Sequence, residues 1–273
     1  MTIDQATAIF ALDDEPDSPI DVLSGSSLNT FLRCARQWEF AYVYRYKRPP
    51  KLRMVTGTAG HKGLEVHLTE KLATNKDAPV SVALDAYSDS FDEEVKEAEA
   101  EKIEAAEWKD KGVRSVKHWH KKVAPDIEPA AIEEPISFLI NGQPYTGTLD
   151  LRDVNDVIID HKFPNKTPSS AESYLVNLVG YAIGFRQKTG RVESMVRLDN
   201  IVQLKEPKYV RIASDGPVTD AAIIAFADTV SIATRQIAAG LFPPTGLGGH
   251  ACSWCGYTDI CEPYKESRMR TTE

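Results

Sequence analysis

The four cysteines constrain the fold of this chain more than any other feature. Cys34 stands alone, whereas Cys252, Cys255 and Cys261 fall together in CSWCGYTDIC, so the pattern is C-x217-C-x2-C-x5-C. Three thiols within ten residues are poorly explained as small apolar core residues, and metal ligation explains them better than free thiols do. Four thiolates suit structural Zn²⁺ or an iron–sulfur cluster. Zinc usually takes two paired C-x2–4-C knuckles, which are missing here, and spacing alone leaves both metals open. Either one would clip the C-terminal tail to the first helix and close the chain into a loop.

With 273 residues, 42% of them hydrophobic and 26% charged, the chain can bury a substantial core, which excludes disorder throughout. No apolar run approaches the roughly 18 to 20 residues of a membrane span, and the N-terminus lacks the basic start of a secretion signal. The expectation is a cytoplasmic protein, or one of the host cytoplasm if phage-encoded, with no membrane partner. A net charge of −8 argues against a nucleic-acid partner only until its distribution is considered. Residues 1–21 carry −6 and residues 85–107 carry −8, which leaves +6 on the rest. That positive charge gathers at Arg45, Lys47, Arg48, Lys51 and Arg53, and again at Lys109, Lys111, Arg114, Lys117, Lys121 and Lys122 beside Trp119. A basic run is weak evidence by itself, because it also serves as a solvated face.

Residues 1–25, acidic and broken by Pro16, Pro19 and Gly25, read as a flexible tail, and 26–273 as a single domain. Ser27 is the expected N-cap of a helix carrying Leu28, Phe31, Leu32, Ala35 and Tyr42 and ending before Pro49 and Pro50. A second helix is expected over 57–75. A third, over 81–107, places Leu84, Tyr87, Phe91 and Val95 on one side and its acids in solvent, inside a helical insertion at about 76–130. After Pro135 the period changes to that of strands: 136–140, 145–152 and 157–163 form an antiparallel meander. A helix from Ser170 and Glu172 to Gly190, strands over 192–204 and 207–213, and a helix over 219–239 follow. The expected fold class is α/β (α+β).

Within YTGTLDLRDVNDVIIDHKF, Asp150 and Asp160 are equidistant from Asn155 at the centre of the turn. A symmetric register makes them face each other, with Cβ atoms about 4.5–5.5 Å apart, and puts Lys162 on the same face. Opposed like charges need a cation or a raised pKa, and carboxylate oxygens suit Mg²⁺ or Mn²⁺. The competing reading is an exposed hairpin end with unrelated charges. In GTAGHKGLEVHL, His61 and Glu65 share an otherwise apolar helical stripe with Leu64, Leu68 and Leu72. An inward histidine there is either a core residue or a ligand beside the two carboxylates.

Taken together, these residues resemble the RecB-like nucleases of the PD-(D/E)XK superfamily, especially the iron–sulfur branch with the CRISPR-associated exonucleases and the AddB nuclease domain. The motifs occur in order: G-x-x-x-H-x-x-L-E from Gly57 to Glu65, G-x-x-D from Gly147 to Asp150, D-x-K from Asp160 to Lys162, a Q-x-x-x-Y-like element from Asn177 to Tyr181, and the split cysteine set around them. The resemblance implies a restriction-endonuclease-like core, a central mixed sheet flanked by helices. It implies that His61, Asp150, Asp160 and the backbone carbonyl of His161 hold Mg²⁺ or Mn²⁺, that Lys162 assists the attacking water, and that Glu65 adds an acidic group. Tyr181 would contact DNA or support Lys162, and Cys34, Cys252, Cys255 and Cys261 would hold a structural [4Fe-4S] cluster, with Zn²⁺ as the alternative. Asn177 stands in place of the usual glutamine, and Phe163 in place of a small hydroxyl residue.

The function expected from this reading is a metal-dependent DNA exonuclease acting on single strands or frayed ends in recombination, repair or phage DNA processing, with Trp119 among the aromatics available for base stacking. A helicase or recombination partner, or a homo-oligomer, would supply processivity. The alternative is an end-binding nuclease-like module that docks to a helicase or integrase and cuts little.

Overall fold

The computed structural model describes residues 7–8, 21–245 and 250–262. The elements run, in chain order, β1 (Thr7–Ala8), β2 (Leu23–Ser24), α1 (Gly25–Arg33), α2 (Ala35–Trp38), a π-helical turn (Glu39–Val43), α3 (Leu52–Thr74), α4 (Val80–Glu94), α5 (Lys102–Lys122), β3 (Pro129–Ile140), β4 (Gln143–Asp153), β5 (Val157–Lys162), α6 (Leu175–Thr189), β6 (Met195–Val202), β7 (Lys208–Ala213) and α7 (Asp220–Ala238). The strands order as β1-β3-β4-β5-β6-β7, with β2 paired to β4. Pairing of β4 with β5 and of β6 with β7 is antiparallel, whereas β5 and β6 run parallel. The sheet is therefore mixed, with helices as its flanking layers, as the α/β expectation requires.

The chain packs as two compact units: Met1–Arg48 with Ser137–Gly147 and Thr219–Glu273, and Pro49–Ile136 with Thr148–Val218. In the first, the N-cap of α1 is Ser24, not Ser27, because Ser24 Oγ accepts the Ser27 backbone N–H at 3.2 Å. Ser27 is buried instead, and its Oγ accepts the Trp38 indole N–H at 2.9 Å. Cys34 is extended (φ −166°) and breaks the expected single helix, so Ala35 and Tyr42 lie on α2 and the π-helical turn. Within the stretch read as a flexible tail, Thr7–Ala8 pair with Leu139–Ile140, and Leu23–Ser24 pair in parallel with Tyr145–Thr146; the rest of residues 1–20 lie outside the described residues. Helix α7 passes the length and composition of a membrane-crossing helix, although Asp220, Asp228 and Arg235 interrupt its apolar run, as the sequence reading has it. Its buried residues Ile223, Phe226, Ala227, Val230, Ala233 and Ile237 form the stripe of a helix packed on one side.

In the second unit, α3 begins at Leu52, directly after the prolines, and ends at Asn75 in the left-handed conformation (φ 55°). Its buried stripe includes Val55, Thr56, Ala59, Gly63, Leu64, His67 and Leu68. The helix expected over 81–107 is two helices, α4 and α5, separated by the 3-10 turn Val95–Glu97. Each packs one side into the core and keeps its charged residues on the other. Tyr87 and Phe91 from α4, and Val116 and Trp119 from α5, join Val55, Leu64 and Leu68 in one buried cluster that also takes in Leu151, Ile159 and Ile201 from the sheet. Trp119 is fully buried, which removes it as a base-stacking residue. The residues Gly112, Ser115, Val116 and Trp119 recur at helical spacing inside the basic run, so its lysines line only the outer face of α5. Burying side chains of this size contributes roughly 1.5–3 kcal/mol each, so α4 and α5 stabilise the unit that carries the catalytic candidates.

Candidate active site

The DVND turn sets the register of the β4–β5 hairpin. Asp153 Oδ1 accepts the backbone N–H groups of Asn155 and Val157 at 2.8 and 2.9 Å, and Asp156 turns the chain with φ 57°. Leu151 then pairs with Ile159 and Arg152 with Ile158, a register that places Asp150 opposite Asp160 as the symmetric reading expects. Strand β5 lies between β4 and β6. Asp160 is consequently 0% exposed, with Lys162 two residues on and on the same face.

Each carboxylate responds differently to burial. Lys162 Nζ lies 2.7 Å from Asp160 Oδ2, and Asp160 Oδ1 has no hydrogen-bond partner among the described residues. Burial outweighs the lysine and pushes the Asp160 carboxyl up to about 6, with the charge of Asp150 adding to the rise. Asp150 moves the other way: burial alone would raise it, but His61 Nδ1 at 3.2 Å and the nearby Lys162 hold it well below the usual carboxylate range. Asp150 Oδ2 also accepts the His161 backbone N–H at 3.0 Å. His61 is raised in turn, because the Asp150 carboxylate overrides the burial that would lower it. Lys162 is likewise held up by Asp160 and Asp150 against burial, with its Nζ 5.5 Å from the centre of the Tyr174 ring.

His61 reaches Asp150 because α3 packs closely at Gly60. A Cβ at that position would meet the Phe163 ring at 2.5 Å, whereas one at Gly57 would meet nothing within 4 Å. The Phe163 ring also packs edge-on against His61 at 5.9 Å. Phe163, the departure from a small hydroxyl residue, is thus the surface on which the histidine rests.

Glu133 is the functional candidate that sequence reasoning missed. It sits on β3 at φ 47°, and one ligand atom from each of His61, Glu133 and Asp150 lies within 4.8 Å of the others. Burial, aided by the charge of Asp150, pushes the Glu133 carboxyl up to about 7. Its neighbour Glu134 is spent elsewhere, on Lys188 at 3.0 Å and Arg152 at 3.5 Å. The available signal was the acid pair just before Pro135, which the strand boundary at Ile136 excluded.

The remaining candidates divide. Glu65 pairs with Lys62 at 2.9 Å and lines, with His61 and Glu133, a cleft of about 640 Å³. Asp89, Glu93 and Glu94 of α4 line its other side, so the acidic helix shapes this opening. The His161 side chain packs its ring against Trp119 at 6.0 Å, its pKa lowered to about 4 by burial, so only its backbone is available to a metal at the Asp160 side. Tyr181 is buried on α6, and the aromatic ring beside Lys162 is that of Tyr174.

All four cysteines fall in the first unit. Burial and the neighbouring thiols of Cys34 and Cys261 push the Cys252 thiol up, and Cys255 is raised by burial and by the other three. Cys34 is lowered, since hydrogen bonds from Thr245 overcome its burial. The Tyr257 backbone N–H points at Cys255 Sγ at 3.4 Å, and Tyr257 Oη donates to the Tyr46 carbonyl at 2.8 Å. These contacts bring the C-terminal cysteine segment to the segment that follows Cys34.

The donor set fits a hard divalent cation: oxygen and imidazole ligands converge, and a buried Asp160 oxygen is left without a hydrogen bond. The chain is similar to the crystal structure of a "Putative exonuclease" from Eubacterium rectale, with a TM-score of 0.59 at 10% identity over 93% of this chain and 91% of that one, a likeness of fold. A second solved structure, SSO0001, aligns with a TM-score of 0.44 at 12% identity over 93% of this chain and 90% of that one. No curated protein sequence matches. Residues 22–262 match the family model of the PD-(D/E)XK nuclease superfamily, and the chain belongs to that superfamily.

Proposed function

We propose that the protein is a Mg²⁺- or Mn²⁺-dependent deoxyribonuclease, an exonuclease that hydrolyses phosphodiester bonds at single-stranded or frayed DNA ends. The observation that carries this reading is the convergence of His61, Glu133 and Asp150 beside a buried Asp160–Lys162 pair in a family of nucleases. His61, Glu133, Asp150, Asp160 and the His161 carbonyl are the groups that would hold the cation. When bound, it supplies a more acidic water and neutralises charge developing on the phosphate. The residues of the chain do the rest. Asp150 fixes the His61 ring through its 3.2 Å contact. Lys162, held cationic by Asp160, steadies the charge that grows on the non-bridging phosphate oxygens as water attacks phosphorus and the P–O bond to the leaving nucleotide breaks. Tyr174 backs that ammonium group.

The cysteine set belongs to the same proposal, as ligands of a structural [4Fe-4S] cluster with Zn²⁺ as the alternative. Four neighbouring thiols and an amide N–H directed at one sulfur support a thiolate-ligated centre.

The test follows 5′- and 3′-labelled single-stranded and duplex DNA incubated with anaerobically purified protein and Mn²⁺ or Mg²⁺, with Asp160→Ala alongside. Metal-dependent shortening from an end, lost in the variant, is the expected result. Internal cuts would overturn the exonuclease assignment, and DNA left intact but bound would replace it with an end-binding module.

A further inference from the structure

The segment after the π-helical turn is an exposed aromatic cluster. Tyr44 and Tyr46 are 52% and 48% exposed, and their rings stack at 5.5 Å and 21°. Phe40 packs against both, at 6.3 and 6.2 Å, and is backed by Tyr257 at 5.5 Å. Between and after the tyrosines stand Arg45, in the left-handed region at φ 54°, and Lys47; both are exposed, with no ion-pair partner among the described residues. Arg48 is committed differently: it binds both Asp259 oxygens at 2.8 and 2.9 Å and lies 5.2 Å from the Tyr257 ring, which anchors the cluster. Phe40, Arg45, Tyr46 and Lys47 line a depression of about 670 Å³ together with Ile260 and the Arg48–Asp259 pair, whose charges offset each other.

We infer that this surface is a binding platform for single-stranded nucleic acid, with Tyr44 and Tyr46 stacking on bases and Arg45 and Lys47 contacting phosphates. The inference rests on the reading of the protein as a DNA nuclease and names where the strand is held. Adjoining exposed aromatic rings rimmed by charged residues form a contiguous patch, the kind of surface that marks an interaction site. Arg45 and Lys47, which pair with no acid among the described residues, select an anionic occupant that also has flat apolar faces. Single strands have both. In a duplex the base faces are already stacked on each other, so a duplex offers this surface its phosphates but not its rings.

The test uses the full-length chain with a phosphorothioate-protected, fluorescently labelled oligo(dT) of about 16 nucleotides and a duplex of equal length, read by anisotropy. Replacing both tyrosines (Tyr44→Ala with Tyr46→Ala) should weaken oligo(dT) binding about tenfold or more and spare duplex binding. The pair Tyr44→Phe with Tyr46→Phe should bind as the parent does, since stacking needs the ring and not the hydroxyl. Arg45→Gln with Lys47→Gln should flatten the salt dependence by about 1.4, at roughly 0.7 per single-strand phosphate contact. Unchanged oligo(dT) binding by the alanine pair, with its melting temperature retained, would overturn the platform and leave the nuclease reading standing. An equal loss for duplex and single strand would overturn the single-strand assignment. A parent chain that binds and cleaves neither DNA would remove both readings together.

Discussion

Three glycines on α3 allow the packing argument to be tested with one substitution. Gly57, Gly60 and Gly63 all lie within the helix, so Gly→Ala at each gains about 0.5–1 kcal/mol from backbone entropy. What the new methyl meets differs. At Gly57 it meets nothing within 4 Å; at Gly63 it lies 2.7 Å from the Ala83 carbonyl oxygen and 3.3 Å from Tyr87 Cβ. A backbone carbonyl of a packed helix cannot swing aside, so Gly63→Ala must separate α3 from α4, an overpacking cost of about 1–3 kcal/mol. Because the propensity gain is common to both, the difference between Gly63→Ala and Gly57→Ala isolates that cost. Scanning calorimetry should place the Gly63→Ala midpoint below the Gly57→Ala midpoint by roughly 2–4 °C per kcal/mol, with Gly57→Ala at or above the parent. A Gly63→Ala protein that melts as high as Gly57→Ala would refute the claimed backbone approach. Gly60→Ala is the functional member of the series: its methyl displaces the Phe163 ring, an easier shift, but one that moves the support of His61. It should lose more activity than stability, since a displacement of about 1 Å can cost 10²-fold in rate.

Other outcomes follow from single groups. Lys162→Met should lower cleavage by about 10²–10³-fold, the scale of removing one group that stabilises transition-state charge, and restored cleavage by an unrelated substitution at the same site would contradict that role. On the proposal that the cysteines hold a cluster, Cys34→Ala should lower the iron or zinc content and the melting temperature; unchanged metal content and melting would exclude a metal staple. Burial holds His67 below its ordinary 6.5, so the unfolded chain takes up a proton that the folded chain does not. Its contribution is full above pH 6.5 and is lost as pH falls through the lowered folded value. The loss of stability on acidification from pH 6.5 should therefore be shallower in His67→Gln, and an unchanged slope would reject the assignment. Asp77, which contacts His67 at 3.3 Å, is itself lowered from 3.8 and acts only in a more acidic window.

The parts of the site that were legible in the sequence are those set by local chemistry. Asp150 opposite Asp160 follows from a turn whose Asp153 caps it, because hairpin register is fixed by the turn. His61 follows from helical spacing. Glu133 was not legible, since its position depends on a residue at φ 47° within a strand and no periodicity encodes that. Tyr174 was missed for a related reason: it precedes α6, outside the motif read along the helix from Asn177 to Tyr181. Trp119 was misplaced because six neighbouring cations masked a sound apolar stripe on α5. The packed side of α4 was legible, since Tyr87 and Phe91 are buried, with Leu84 and Val95 packed against the same cluster, and Ala83 joins them; only the abundance of acids made the helix look like a solvated insertion.

The central claim is that His61, Glu133, Asp150 and Asp160 make one divalent-cation centre responsible for cleavage. Titration of Mn²⁺ into the full chain, followed by electron paramagnetic resonance and paired with end-labelled DNA cleavage on the same samples, tests it most directly, with Glu133→Gln and Asp150→Asn as folded comparisons. The account predicts that either substitution weakens Mn²⁺ binding and that cleavage falls in proportion. Undiminished Mn²⁺ binding in both variants, or cleavage that persists without it, would contradict the account.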